Sequence, residues 1–417
     1  MHILLIHQFF LNDNEGGGSR WNDMSRIWVD KGHKVTVLAG NVHYMGLRSE
    51  NISGKYFVEK INKDGVKVIS CFASKSYHSG FLGRLWGYFS FTLSSIYAGL
   101  FYAKEKYDLV LVTSPPLFVG LTAIVLSLAK SIPFLFEVRD LWPESAIETG
   151  VLENKLVIGI AFSFEQYLYR KAKMINVLTP AFRDILISKK NIPEEKIVYI
   201  PNASDFALAD QVGYHFNAPA FRKQNGLEGK FVMTYVGAHG VANDLIQVID
   251  AASLLQDTNC HFLLIGDGEQ KNELMAEVKK RELLNIRFID PMPKSEVLKF
   301  VLASDMGISV LKKAEIFKTI YSNKTFDYFS CKKPVLMVID GISRQLIEKA
   351  DAGIFVKPGN PEDLAEKIRY CLKNPDKLLR QGNNGYYHAK LHFDRDVLAG
   401  KYLRYLENCF GKHSPHA

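Results

Sequence analysis

Twice along the chain, short apolar runs alternate with longer stretches of helical period, and few folds accommodate that pattern. The first series is Ile3 to His7, Lys34 to Ala39, Leu109 to Thr113, Phe134 to Val138, Met174 to Leu178 and Ile197 to Ile200. The second is Phe231 to Val236, His261 to Ile265, Ile286 to Ile289, Met306 to Val310, Pro334 to Val338 and Gly353 to Val356. Runs that are apolar throughout suit strands buried on both faces, and parallel strands need a crossover of a dozen or more residues, usually a helix. Ser19 to Lys31 reads as one such helix, with Trp21, Met24 and Trp28 on one face and Gly32-His33 ending it. The pattern predicts an α/β protein of two Rossmann-like, doubly wound domains facing a cleft. Residues 1–205 form the first domain, 206–229 an irregular linker and 230–394 the second domain. Residues 395–417 form a last helix and tail that suits either domain.

Composition narrows the setting. Of 417 residues, 23% are charged and 47% hydrophobic, which marks a soluble globular chain rather than a disordered one. The cysteines at 71, 260, 331, 371 and 409 show neither paired spacing nor a histidine cluster, so no disulfide framework or zinc site is expected. That suits a reducing compartment. Met1 to His7 has no cationic start and reads as a strand, not a signal. The apolar helical stretches Leu117 to Ala129 and Leu93 to Tyr102 fall short of the ~20 residues that span a bilayer.

The formal charge of +8 divides evenly between the two halves of the chain, but within the first half the excess is concentrated in one place. From Gly65 to Lys104 there is no Asp or Glu, while Lys67, Lys75, Arg84 and Lys104 are interleaved with aromatics that include Phe72, Phe81, Trp86, Phe89 and Tyr102. An anionic partner is implied. One reading makes 72–104 a membrane-facing segment, with Lys75 and Arg84 on lipid phosphates and Phe81, Trp86 and Phe89 in the interfacial zone. The other makes it an aromatic helix packed on the sheet. Nucleic acid is disfavoured, because no known binding module is present.

Four motifs carry candidate chemistry. Glu15-Gly16-Gly17-Gly18-Ser19-Arg20 joins the first strand to a helix, either as a phosphate cradle or as a flexible connection. It does not meet the dinucleotide fingerprint, so NAD is not expected. Gly266-Asp267-Gly268 follows a strand of the second series, as a close nucleotide approach or a tight turn. In Ser322-Asn323-Lys324-Thr325-Phe326-Asp327, Ser322 and Asn323 are plausible helix caps that bring Lys324 and backbone N–H groups to a diphosphate. Asp327 could take two ribose hydroxyls there, or form an i,i+3 surface pair with Lys324. Glu137-Val138-Arg139-Asp140-Leu141-Trp142-Pro143-Glu144-Ser145 places two acids, an Arg and a Trp at the end of an apolar strand, a common location for catalytic groups.

At these residues the chain resembles the retaining glycosyltransferases of family 4, which have the glycosyltransferase B fold. The likeness covers nearly the whole chain. It is carried by the 137–145 run, Ile200-Pro201-Asn202, Tyr235-Val236-Gly237 and Ser322 to Tyr328. The first of these looks like the branch that builds bacterial surface polysaccharides such as O-antigen and capsule, including colanic-acid fucosyl and L-fucosamine transferases. The resemblance implies transfer from a UDP-sugar, with an N-acetylated deoxyhexosamine such as L-FucNAc as the guess, to a polyprenyl-diphosphate-linked saccharide. It also implies a peripheral enzyme at the cytoplasmic face of the cell membrane that needs no cofactor or metal and retains configuration through front-face attack. Donor-binding residues would be Gly17, Gly18, Gly237, His239, Gly266, Gly268, Met292, Ser322, Asn323, Lys324 and Asp327, with Asp140, Glu144 and Arg139 near the acceptor and reacting sugar.

The chain departs from the family pattern at three points. Ser322-Asn323-Lys324 stands where Pro-Ser-Lys is usual. The acidic pair seven residues apart is absent, with Glu315 the nearest acid upstream. Gly237-Ala238-His239-Gly240-Val241 replaces an Arg and Lys, leaving Lys324 as the diphosphate cation. A sugar-nucleotide 2-epimerase and a non-catalytic nucleotide-sugar-binding subunit are the alternative readings.

Overall fold

The computed structural model describes residues 1–13, 15, 20–42, 56–78, 80–148, 150 and 152–411, apart from the side chains at 77, 78, 81, 82 and 84. The chain divides into two compact units. The first is built mainly of Met1–Pro201 and the segment from Asp396, the second mainly of Asn202–Arg395.

The first unit holds an eight-stranded sheet of β1 (His2–Ile6), β2 (Lys34–Gly40), β3 (Phe57–Ile61), β4 (Lys67–Cys71), β5 (Leu109–Ser114), β6 (Phe134–Val138), β7 (Met174–Val177) and β8 (Ile197–Tyr199). The order is β3-β4-β2-β1-β5-β6-β7-β8, with β3 antiparallel to β4 and every other pair parallel. Connections run one way from β1 to β2 and the other way from β5 onward, so β1 and β5 flank a switch point. Ligands of open α/β sheets bind outside the carboxyl ends of strands at such points. Two strands lie beyond the apolar runs. Edge strand β3 exposes Glu59 and Ile61, and β4 sits inside the acid-free stretch.

The last helix, Arg395–Phe410, returns to the first unit. Trp28 on the helix Arg20–Asp30 meets the Tyr402 ring edge-on at 5.6 Å and donates its indole N–H to the Ala399 carbonyl at 3.0 Å. All three aromatics Trp21, Trp28 and Tyr402 are buried, which settles which domain this helix covers.

The second unit holds six parallel strands: β9 (Phe231–Val236), β10 (Cys260–Ile265), β11 (Ile286–Ile289), β12 (Met306–Val310), β13 (Val335–Val338) and β14 (Gly353–Phe355). Their order, β11-β10-β9-β12-β13-β14, places a second switch point between β9 and β12. The segment 206–229, expected as a linker, is instead largely helical and belongs to this unit. Asp205 caps Phe206–Gly213 by accepting from Leu208 N, and Asn217 caps Ala218–Gln224 by accepting from Ala220 N. Phe206 and Ala209 are buried in the unit's core.

Candidate functional site

In the second unit the loops at the switch point press closely together. Gly237 directly follows β9 at φ +143°, and Gly266 directly follows β10 at φ +146°, conformations that favour glycine. A Cβ on Gly266 would overlap the Gly237 carbonyl oxygen, and one on Gly237 would stand 3.4 Å from Lys324 Cε. These residues therefore leave backbone and one ammonium, without intervening side chains, at the mouth of the sheet. The Lys324 ammonium lies 4.8 Å from the centroid of the Tyr235 ring. Among the described residues it makes no ion pair. Burial, only partly offset by Asp327, pushes its pKa down to about 8. A partly desolvated cation without an anion, beside the start of the helix Asn323–Ser330, is a receptive site for phosphate.

The helix start differs from expectation. Ser322 occupies the N-cap position but does not cap with its side chain. Its hydroxyl donates inward to Ser309 Oγ at 3.3 Å, and its backbone N–H donates to Ser343 Oγ at 3.2 Å. Asn323 accepts through Oδ1 from the Asn202 side chain. Asp327 does not pair with Lys324. It meets Lys294 Nζ at 3.2 Å through Oδ1, and Lys294 also reaches Asp205 Oδ2 at 3.7 Å. Burial opposes the Lys294 charge, yet the two carboxylates outweigh it and raise its pKa. Lys294 is thus a site-adjacent residue whose role spacing alone did not show. Met292, two residues earlier, packs half-buried on the core.

The His239 ring does not reach the phosphate position as a cation. It is fully buried between Tyr235 at 6.0 Å and Phe288 at 5.8 Å, neither ring nitrogen has a hydrogen-bond partner, and burial lowers its pKa to about 4. Its backbone does the local work, donating to the Asp267 carbonyl at 2.8 Å and accepting from Gln270 N at 2.9 Å around Gly268. Glu315 is an exposed partner of Lys318 at 2.6 Å. Gly17 and Gly18 lie outside the described residues.

In the first unit the 137–145 run splits into inward and outward groups. Glu137 is fully buried and takes both oxygens to Arg20, at 3.1 Å each, while Asn176 donates to it at 2.9 Å and Tyr402 at 3.3 Å. Arg20 also donates to the carbonyls of Ile200 and Pro201. That acid is therefore structural. Asp140 accepts from Ser145 Oγ at 2.7 Å, and burial pushes its carboxyl up to about 6. Glu144 pairs with Lys190 at 2.6 Å. The Arg139 backbone N–H donates to the Ser114 carbonyl at the end of β5. A further residue joins them: His7, just past β1, is 5% exposed and bonds Thr113 Oγ1 through Nδ1 at 2.9 Å. Burial, helped by Arg139 and Arg20, keeps it neutral. Its sequence signal was the same as that of Asp140, a polar group ending an apolar strand.

The helix Gly80–Phe101 is inverted relative to an ordinary sheet-covering helix. Trp86, Phe89, Leu93, Tyr97 and Phe101 point to solvent at every third or fourth position, while Thr92, Ser94, Ser95 and Ala98 are buried with Phe91. Ser95 bonds Thr122 at 2.8 Å across to the next helix. Lys75 is exposed nearby, and the Arg84 side chain lies outside the described residues. No helix among the described residues is long and apolar enough to cross a membrane. Nor is any group of three or more His, Cys, Asp or Glu among them placed to hold a metal ion.

Comparison with known proteins is consistent across both units. Residues 15–203 match the glycosyl transferase 4-like domain, and residues 217–388 match glycosyl transferases group 1. WcaI of Escherichia coli K12, a glycosyl transferase assigned to colanic acid biosynthesis, is 22% identical over 90% of this chain and 93% of its own length. The glycosyltransferase WbjE of Pseudomonas aeruginosa is 22% identical over 63% of this chain and 65% of its own. Among solved structures, a sucrose-phosphate synthase from Thermosynechococcus elongatus superposes with a TM-score of 0.73 at 14% identity, covering 98% of this chain and 99% of that one. HepE of Anabaena, solved with UDP and glucose, gives 0.72 at 16% identity, covering 98% and 100%. These likenesses establish the two-domain glycosyltransferase B fold.

Proposed function

The chain is a glycosyltransferase that joins a 4-like domain to a group 1 domain, and on that premise we propose that it moves a sugar from a UDP-linked donor to a polyprenyl-diphosphate-linked saccharide in bacterial surface polysaccharide synthesis. The observation that carries the donor half is Lys324, a half-buried ammonium with no ion-pair partner among the described residues, at a helix start beside Gly237. Lys324 and the amides opening its helix stabilise the departing diphosphate, so the charge of the leaving group meets preorganised donors without a metal. Asp327, pinned by Lys294 through Oδ1, offers Oδ2 to ribose hydroxyls. The loop around Met292 meets the base. Support for UDP comes from HepE, solved with UDP.

The acceptor half draws on the first unit. Asp140 and Glu144, with Arg139 and His7, surround the acceptor hydroxyl at the carboxyl ends of β1, β5 and β6. The reaction retains anomeric configuration, and the departing phosphate helps remove the acceptor proton. Colanic acid in the name of WcaI favours a surface polysaccharide product, and an N-acetylated deoxyhexosamine such as L-FucNAc is the sugar proposed. The exposed stripe on Gly80–Phe101, with Lys75 beside it, favours peripheral attachment to the cytoplasmic face of a membrane, because soluble monomers rarely leave such rows of aromatics uncovered.

The test is a panel of UDP-sugars with synthetic polyprenyl-diphosphate-linked GlcNAc, with products read by mass spectrometry and anomeric configuration by NMR. A disaccharide product with a retained linkage is expected. An epimerised sugar nucleotide formed without acceptor would replace transfer with 2-epimerisation. No product from any donor would remove the proposal.

A further inference from the structure

The helix Lys155–Lys171 in the first unit changes character along its length. Positions 156, 159, 160 and 163 form one half of a solvent-facing stripe and 166, 167 and 170 the other, spaced as neighbours on one helix face. The first half is apolar, with Leu156 75% and Ile160 62% exposed. Gly159 lies between them, and a Cβ there would meet nothing within 4 Å. A mid-helix glycine is less favourable than alanine, and internal packing does not require this one. Its effect is to hollow the surface. Leu156, Gly159, Ile160 and Phe164 line a shallow, open hollow that Lys155 and Ser163 border.

The second half is polar. A cavity of about 620 Å3 is lined there by Tyr167, Arg170, Lys189, Lys190 and Glu144, and Ser163 belongs to both hollows. Lys190 is already held by Glu144 at 2.6 Å and Glu165 at 2.5 Å. Arg170 and Lys189 make no ion pair among the described residues, so two cations stand open at this end. From 156 to 170 the stripe runs ~21 Å at 1.5 Å per residue. The result is a shallow groove, apolar at one end apart from Lys155 at its margin and cationic at the other, and the cationic end borders Glu144.

We propose that this groove seats the lipid-linked acceptor, with its isoprenoid tail on Leu156 and Ile160, its diphosphate between Arg170 and Lys189, and its sugar turned towards Glu144. The assignment rests on the acceptor class proposed above and adds its location. A single amphiphile fits this groove better than a bilayer does. The surface changes from apolar to cationic along one axis, whereas the row on Gly80–Phe101 is uniformly apolar.

The test compares a long-chain polyprenyl-diphosphate-linked GlcNAc with a short-chain, water-soluble analogue. Because two aliphatic side chains would lose their apolar contact with the tail, Leu156→Ser with Ile160→Ser should raise KM for the long chain at least ~10-fold relative to the short one. Arg170→Glu with Lys189→Glu should weaken both acceptors alike. An unchanged ratio of the two KM values in the Ser pair overturns the groove. If wild type glycosylates neither acceptor, binding decides instead. Ile160→Cys, in a Cys409→Ser background whose remaining cysteines are all buried, carries an environment-sensitive dye. A blue shift on adding detergent micelles loaded with polyprenyl diphosphate, absent with empty micelles, supports the groove although the transfer reading has failed. The same shift with empty micelles identifies a general membrane contact and overturns it, as does no shift in either.

Discussion

Both units bury charge, but they treat it differently. In the first, Glu137 and Arg20 satisfy one another within a network that adds Asn176, Tyr402 and two carbonyls, leaving nothing for a ligand. In the second, Lys324 is partly desolvated beside a tyrosine ring, with no ion pair among the described residues and only a partial offset from Asp327. A closed network is a folding device, because removing one member leaves a buried charge uncompensated. An open charge is a cost to folding that only a ligand offsets. Two equally polar clusters at carboxyl ends of parallel strands are therefore distinguished by what remains unpaired.

The largest effect expected from that contrast is on stability. Glu137→Leu should destabilise the protein by about 3–5 kcal/mol, since Arg20 is left buried without its partner. Adding Arg20→Met should restore much of that loss, as apolar replacements of similar volume often do. Urea unfolding of both single variants and the double variant reads the cycle. Independent, additive losses would show that the pair is not a closed unit.

Lys324→Met should do the reverse. Losing a preorganised donor to a developing charge commonly costs 10²–10³-fold, so kcat/KM for the donor should fall by about that factor while the unfolding midpoint stays level or rises. A large loss of stability with donor use intact would erase the contrast. The wild-type enzyme gives a second reading. With Lys324 near pKa 8 in the free protein, the ammonium prevails below that pH and donor affinity should weaken as pH rises through it. Lys324→Met should lack this basic limb.

Asp140 supplies a smaller, opposite limb. Its carboxyl titrates near 6, so the carboxylate is present above that pH and is lost as pH falls through it. Activity should decline on the acid side with an apparent pKa near 6. Asp140→Asn should lower kcat by roughly 100-fold and flatten the limb, the low end of a positioned acid–base contribution because the departing phosphate shares the proton removal. A limb that persists in Asp140→Asn belongs to another group.

Much of the architecture was legible because parallel strands covered on both faces announce themselves as apolar runs, and every such run became a strand. Strands β3 and β4 escaped, the first because an exposed edge needs no apolar signature and the second because charge, not period, dominates its surroundings. The helices at 206–224 escaped because they are short. Their caps, Asp205 and Asn217, were visible, but no sustained apolar face confirmed them. Lys324 was legible from its place at a helix start. The pairing of Asp327 with Lys294, 33 positions earlier in the chain, is tertiary and has no local signal. Likewise, nothing within the 137–145 run separates Glu137, turned to Arg20, from Asp140, turned to Ser145.

The smallest expected effect concerns the cationic margin of the exposed aromatic row. Each Lys or Arg near an anionic bilayer contributes about 1 kcal/mol, so Lys75→Ser should weaken cosedimentation with anionic vesicles only about fivefold. That loss should vanish at high salt, because it is electrostatic. Trp86→Ser on the same surface should persist in high salt and on neutral vesicles, since its contribution comes from apolar area rather than charge. The two variants therefore separate attraction from insertion. Equal, salt-independent losses would mean that the row is held by apolar contact alone, with Lys75 outside it. No loss in either would return Gly80–Phe101 to the role of a sheet-covering helix, and would leave its outward aromatics and inward hydroxyls without a membrane to explain them.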